Sequence, residues 1–151
     1  MEHSYNKLAL KKRKPKKAIK VKAKRNDFEH EYQVEVIKWT RKHAGIFPGV
    51  EGIYSVPNGA HVSPQERGRL IREGMKKGVS DLELPVAKGG YFGLYIEMKC
   101  KGGTTSKDQI AFGEFVTNQG YLFKVCWSAE EAIADLIIYM NMKQTKGGET
   151  L

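Results

Sequence analysis

The sequence predicts a single α/β domain, a mixed sheet flanked by helices, behind a basic N-terminal arm. Three observations carry this. Short apolar or alternating runs bounded by Gly and Pro, the chemistry of strands, recur between capped runs with helical periodicity. Their order is α-β-α-β-β-α-β-α, and one sheet covered by helices is the economical way to pack it. The length of 151 residues, with 40% hydrophobic composition, suits one ordinary domain plus a tail.

The arm comes first. The net charge is +9, but residues 1–25 hold eleven Lys/Arg against one acid, Glu2, while residues 26–151 hold fifteen Lys/Arg against sixteen acids. The basicity belongs to the arm, not the domain. "KLALKKRKPKKAIKVKAKR" has too few large apolar residues to offset its ordering entropy, so residues 1–25 are expected to be disordered when free. Lys11, Lys12, Arg13, Lys14, Lys16 and Lys17 are candidates for contacting nucleic-acid phosphates. A localisation signal or plain solubility would give the same composition.

The domain is expected over residues 26–142. "NDFEHEYQVEVIKWTRKH" predicts a helix from about Phe28 to His43, capped by Asn26 or Asp27 and ended by Gly45 and Pro48. Gly52–Val56 reads as a short strand closed by the turn Pro57-Asn58-Gly59. Asn58 is either turn chemistry or a nucleic-acid contact, and His61 has no evident partner. Ser63 caps a polar helix with Pro64 at its first position. "VSDLELPV" and the run from about Phe92 to Cys100 are strands a few residues apart. They should pair as an antiparallel hairpin through Gly89-Gly90. Ser106 caps a helix to about Asn118, "GYLFKVCW" is a strand, and Ser128 with Glu131 forms a capping-box pattern. The last helix carries an apolar stripe of Ile133, Leu136, Ile137 and Met140; residues 143–151 read as a frayed tail.

Other functional classes find little support. No apolar run approaches the ~18 residues of a membrane span, and no apolar signal core opens the chain, so an intracellular protein is expected. Cys100 and Cys126 lie inside apolar runs and read as buried, reduced thiols. No Cys/His spacing suits zinc.

The chemistry gathers on "LYIEMK". Strand alternation puts Glu97 and Lys99 on one face with Tyr95, and Leu94, Ile96 and Met98 on the other. In the expected hairpin the Asp81 face meets the Glu97 and Lys99 face. Two carboxylates then converge beside an ammonium, a conflict that a divalent cation such as Mg²⁺ resolves. A metal-polarised water with Lys99 beside it would suit phosphodiester hydrolysis. An exposed Glu97–Lys99 pair on an ordinary sheet is the alternative.

On the first helix, Glu31, Glu35, Lys38 and Lys42 form a solvated stripe, while Glu29 and Gln33 extend the stripe of Val36 and Thr40 that should face the protein. Glu29 therefore either joins the metal site or sits in an exposed first turn. Gln109 either completes a capping box with Ser106 or reaches the site.

"EHEYQVEVIKW", "VPNGAH", "EGMKKGVSDLELP" and "LYIEMKCKGGTTSKDQ", in this order, resemble the virus-type replication–repair nuclease (VRR-NUC) domain of the PD-(D/E)XK nuclease superfamily. The resemblance spans roughly residues 28–128. It implies a restriction-endonuclease-like αβββαβ core and Mg²⁺- or Mn²⁺-dependent cleavage of DNA. It places metal ligation on Asp81, Glu97, Glu29 and the main-chain carbonyl of Met98, and catalysis on these acids with Lys99 and Gln109. Whether Glu29 or Glu31 is the helical acid stays open, although the spacing to Gln33 favours Glu29. Ser80 stands where the superfamily motif has proline. Small stand-alone members look like phage proteins, and some act on four-way DNA junctions as dimers. Branched DNA, a homodimer and the cytoplasm of a bacterial host are the corresponding expectations. Two alternatives remain: a non-catalytic protein that binds nucleic acid through its arm, and a sequence-specific restriction-like nuclease.

Overall fold

The computed structural model describes residues 17–57 and 62–145. The elements are α1 (Lys17–His43), a 3-10 turn (Val50–Gly52), β1 (Tyr54–Ser55), α2 (Pro64–Arg72), β2 (Leu82–Leu84), β3 (Leu94–Met98), α3 (Lys107–Asn118), β4 (Leu122–Cys126) and α4 (Ala129–Met140). The expected order of helices and strands holds throughout.

The sheet runs β1-β2-β3-β4. β1 and β3 both pair antiparallel to β2, and β4 pairs parallel to β3. A parallel neighbour needs a crossover, and α3 supplies it. The β2–β3 connection tightens at Gly89-Gly90. Lys88 and Tyr91 exchange both backbone hydrogen bonds across these two glycines, whose φ values are 61° and 89°. Positive φ at both central residues is the two-residue hairpin turn that matches strand twist, and glycine adopts it without a Cβ clash.

One face of the sheet builds the core. Leu82, Leu84, Leu94, Ile96 and Met98 are fully buried and pack with Val36 of α1 and Leu136 and Tyr139 of α4. The Tyr139 hydroxyl, carried into this apolar layer, donates to the carbonyl of Val86 at 2.7 Å. Cys100 and Cys126 are buried free thiols.

Three expectations change. α1 begins at Lys17 rather than behind a cap at Asn26 or Asp27, so residues 17–25 are helical. Lys, Ala and Arg are good helix formers and no Gly or Pro interrupts residues 17–43, so Asn26 and Asp27 are carried inside the helix. Residues 143–145 are not frayed. Gly89 N–H donates to the Lys143 carbonyl at 2.8 Å, Thr145 N–H donates to Ala87, and Gly90 N–H donates to the Thr145 hydroxyl at 2.9 Å. Pairing with the hairpin turn therefore orders residues 143–145. The capping box of α4 is half formed: Ser128 accepts from Glu131 N–H, but the Glu131 carboxylate takes the N–H of Trp127 instead of that of Ser128. Residues 1–16, with Lys11, Lys12, Arg13, Lys14 and Lys16, lie outside the described residues, as do Asn58, His61 and residues 146–151; Lys17 opens α1.

Candidate active site

The hairpin register decides where the acids meet. Leu82 lies opposite Ile96 and Glu83 opposite Tyr95, so Asp81 falls opposite Glu97 at the end of the hairpin. A carboxylate hydrogen bond fixes the junction: Met98 N–H donates to Asp81 Oδ2 at 2.8 Å. Glu97 and Lys99 share the face away from the core, yet Glu97 is 0% and Lys99 7% exposed. An exposed surface salt bridge is thereby excluded.

Two side chains from different segments hold Glu97. The Lys99 ammonium donates to its Oε1, and so does the Gln109 side-chain amide from the first turn of α3. Gln109 combines both of its expected roles. Its Oε1 accepts from Ser106 N–H at 2.8 Å, completing the capping box, while its Nε2 reaches Glu97. Lys99 also donates to the main-chain carbonyl of Met98 at 3.1 Å. The ammonium thus rests on two of the oxygens expected to hold a cation.

Glu29 joins from α1. Its carboxylate accepts from Cys100 N–H at 3.1 Å, one residue past Lys99. It is half-buried, while Glu31, Glu35, Lys38 and Lys42 are exposed, so the face argument separates Glu29 from Glu31. Glu83 stays out of the corner. It lies two pairs further along the hairpin, beside the Tyr54 and Tyr95 hydroxyls. The hydrogen bond to Glu83, then burial, pushes Tyr54 up to about 12. Tyr95 lies two residues before Glu97 on the same face of β3, packed edge-on against Phe112 and Tyr121 at 5.5 and 5.3 Å.

The electrostatics are those of crowded acids. Burial, then the charge of Asp81, pushes the Glu97 carboxyl up to about 7, against the pull of Lys99. Burial also raises Asp81; the Met98 N–H and Lys99 oppose this, and Glu29 adds to it. Glu97 Oε2 is buried without a hydrogen-bond partner. A partnerless buried carboxylate oxygen, beside a second raised carboxyl, fits a hard divalent cation. Among the described residues no three His, Cys, Asp or Glu side chains form a ready-made cage. Mg²⁺ needs none, because it keeps several waters and binds through one or two carboxylates.

A residue that spacing alone did not single out is Gly78. Its φ is +80°, and a Cβ there would lie 2.4 Å from the backbone carbonyl of Asp108 in the first turn of α3. Glycine lets the loop before Asp81 lie directly on the turn that carries Gln109. Its closeness to Asp81, with only Val79 and Ser80 between them, was its sequence signal.

The VRR-NUC domain family model matches residues 13–130. A solved structure named "VRR_NUC domain protein" is 26% identical, covers 82% of this chain and 97% of its own, and superposes with a TM-score of 0.68. No curated protein matches the sequence. With the αβββαβ core in place and the matched segment spanning most of the described residues, the chain belongs to the VRR-NUC nuclease-domain family.

Proposed function

We propose that the protein is a metal-dependent deoxyribonuclease that hydrolyses phosphodiester bonds at the Asp81–Glu97–Lys99 corner. The observation that carries this reading is the buried Glu97, with one oxygen held by Lys99 and Gln109 and the other without a partner. Asp81, Glu97 and the Met98 carbonyl would hold Mg²⁺ or Mn²⁺, with Glu29 beside them. When bound, the ion supplies Lewis-acid stabilisation of phosphate charge and lowers the pKa of a coordinated water.

The chain's own groups do the rest. Gln109 fixes the rotamer of Glu97 from α3. Asp81, tied to Met98 N–H, and Glu29, tied to Cys100 N–H, lock the end of β3 at a set height. Lys99 is the fixed positive charge. Released from Glu97 and the Met98 carbonyl, its ammonium is placed to hold the attacking water and to offset charge developing on the phosphate. Tyr95, packed edge-on against Phe112 of α3, would wall the site on the Glu97 face of β3.

Branched DNA such as a four-way junction is the substrate we propose, in keeping with the resemblance and the charge of the arm. A homodimer would offer one site to each of two strands, and Phe92 and Ile138, both more than half exposed, give it apolar surface. The test is cleavage of matched four-way junction, flap, duplex and single-stranded substrates, with Mg²⁺, Mn²⁺ or chelator. Metal-dependent nicking of the junction ahead of the duplex is expected. Binding without cleavage on every substrate would overturn the reading.

A further inference from the structure

Four exposed lysines stand around the acidic corner. Lys101 follows Lys99 by two residues, where the chain leaves β3. Lys107 opens α3, two residues before Gln109. Lys76 and Lys77 precede Gly78 on the loop to Asp81. The Gly78–Asp108 contact joins two of these segments, because Lys77 and Lys107 are each the immediate neighbour of a residue in it, while Lys101 lies on the chain leaving β3, two residues past Lys99. Among the described residues none of the four is in an ion pair, whereas Arg69 of α2 is held between Glu66 and Glu73. Asp108 is an exposed acid in the same group, which leaves an excess of positive charge. Exposed ammonium groups on three segments that lead into or out of the Asp81–Glu97 corner, without acid partners, complement a polyanion.

We infer that Lys76, Lys77, Lys101 and Lys107 form a track for the sugar-phosphate backbone flanking the bond to be cut, separate from the basic arm. The inference takes its substrate class from the nuclease reading but concerns binding rather than cleavage. Each phosphate neutralised on duplex DNA releases counterions, so each lost contact flattens the salt dependence of binding by roughly 0.9 in the log–log slope.

The experiment titrates full-length protein onto a duplex and a four-way junction in chelator, by fluorescence anisotropy, between about 50 and 200 mM salt. The variant with Lys76→Gln, Lys77→Gln, Lys101→Gln and Lys107→Gln should have a slope shallower by about 3 to 4, with circular dichroism unchanged. Lys38→Gln with Lys42→Gln, on the solvated face of α1, should keep the original slope. The Lys76/Lys77 and Lys101/Lys107 pairs made separately should each flatten it by about 2, so the test does not depend on the fourfold variant folding. An unchanged slope in the fourfold and paired variants overturns the track. So does an equal loss in the α1 control, which would make the effect one of net charge. Protein that binds along the track yet never cuts with Mg²⁺ upholds the track and overturns the nuclease reading.

Discussion

The two faces of β3 reach the same depth at Ile96 and Glu97 and are opposite in consequence. Leu94, Ile96 and Met98 lose water to apolar neighbours on α1 and α4, and each such burial contributes roughly 1.5–3 kcal/mol. Glu97, between them in sequence and just as deep, loses water to an ammonium, an amide and a second carboxyl, which do not fully replace it. Depth therefore does not separate the core positions from the proposed site. What separates them is whether the buried group is satisfied by the protein alone.

The sharpest way to break this comparison is to change each face in turn. Asp81→Asn, Glu97→Gln and Lys99→Met should each reduce cleavage by at least about 100-fold in folded protein, because each removes a charge that the proposed chemistry uses. Ile96→Ala should instead cost about 2–5 kcal/mol of stability, with cleavage per folded molecule retained. Denaturant melts and single-turnover rates on the same preparations separate the two. Equal effects of both kinds on both faces would dissolve the distinction.

The second test uses pH. A carboxyl raised from its ordinary 4.5 to about 7 keeps its proton in the folded state after the unfolded chain has released it. The folded state binds more protons across that window, so stability is greatest below it and falls as pH rises through it. In chelator the loss should total roughly 3 kcal/mol. Asp81, raised in the same direction, adds to it. Glu97→Gln should flatten the profile; equilibrium unfolding at several pH values reads it directly.

Smaller effects refine the geometry. Gly78→Ala puts a Cβ into the Asp108 backbone at positive φ. It should cost about 1–3 kcal/mol and lower cleavage by displacing Gln109 from Glu97. Ser80 is fully buried with its hydroxyl unpartnered. Ser80→Ala should raise stability by about 1 kcal/mol and leave cleavage intact, since the position next to Asp81 asks for a small side chain and not for a donor.

Much of this was legible in the sequence, for local reasons. Alternation along "LYIEMK" separates its two faces, Ser63, Ser106 and Ser128 mark helix starts, and helical spacing puts Glu29 inward while Glu31 stays exposed. The rest depended on contacts between distant segments. Asn26 and Asp27 look like caps, but helix propensity on both sides carries α1 through them. Residues 143–145 look like a tail until the Gly89-Gly90 turn offers them hydrogen bonds. Gln109 satisfies a cap and a carboxylate at once, and only the α3–β3 packing reveals the second partner. Gly78 matters through Asp108, thirty residues away in the chain.

The central claim is that the buried Oε2 of Glu97, which has no hydrogen-bond partner, serves a cation together with Asp81. Calorimetric titration with Mn²⁺ of the wild-type protein, Glu97→Gln and Asp81→Asn tests it without DNA or turnover. The account predicts saturable binding to the wild type that both substitutions abolish, with folding unchanged. Equal binding by all three proteins, or none by the wild type, would contradict it.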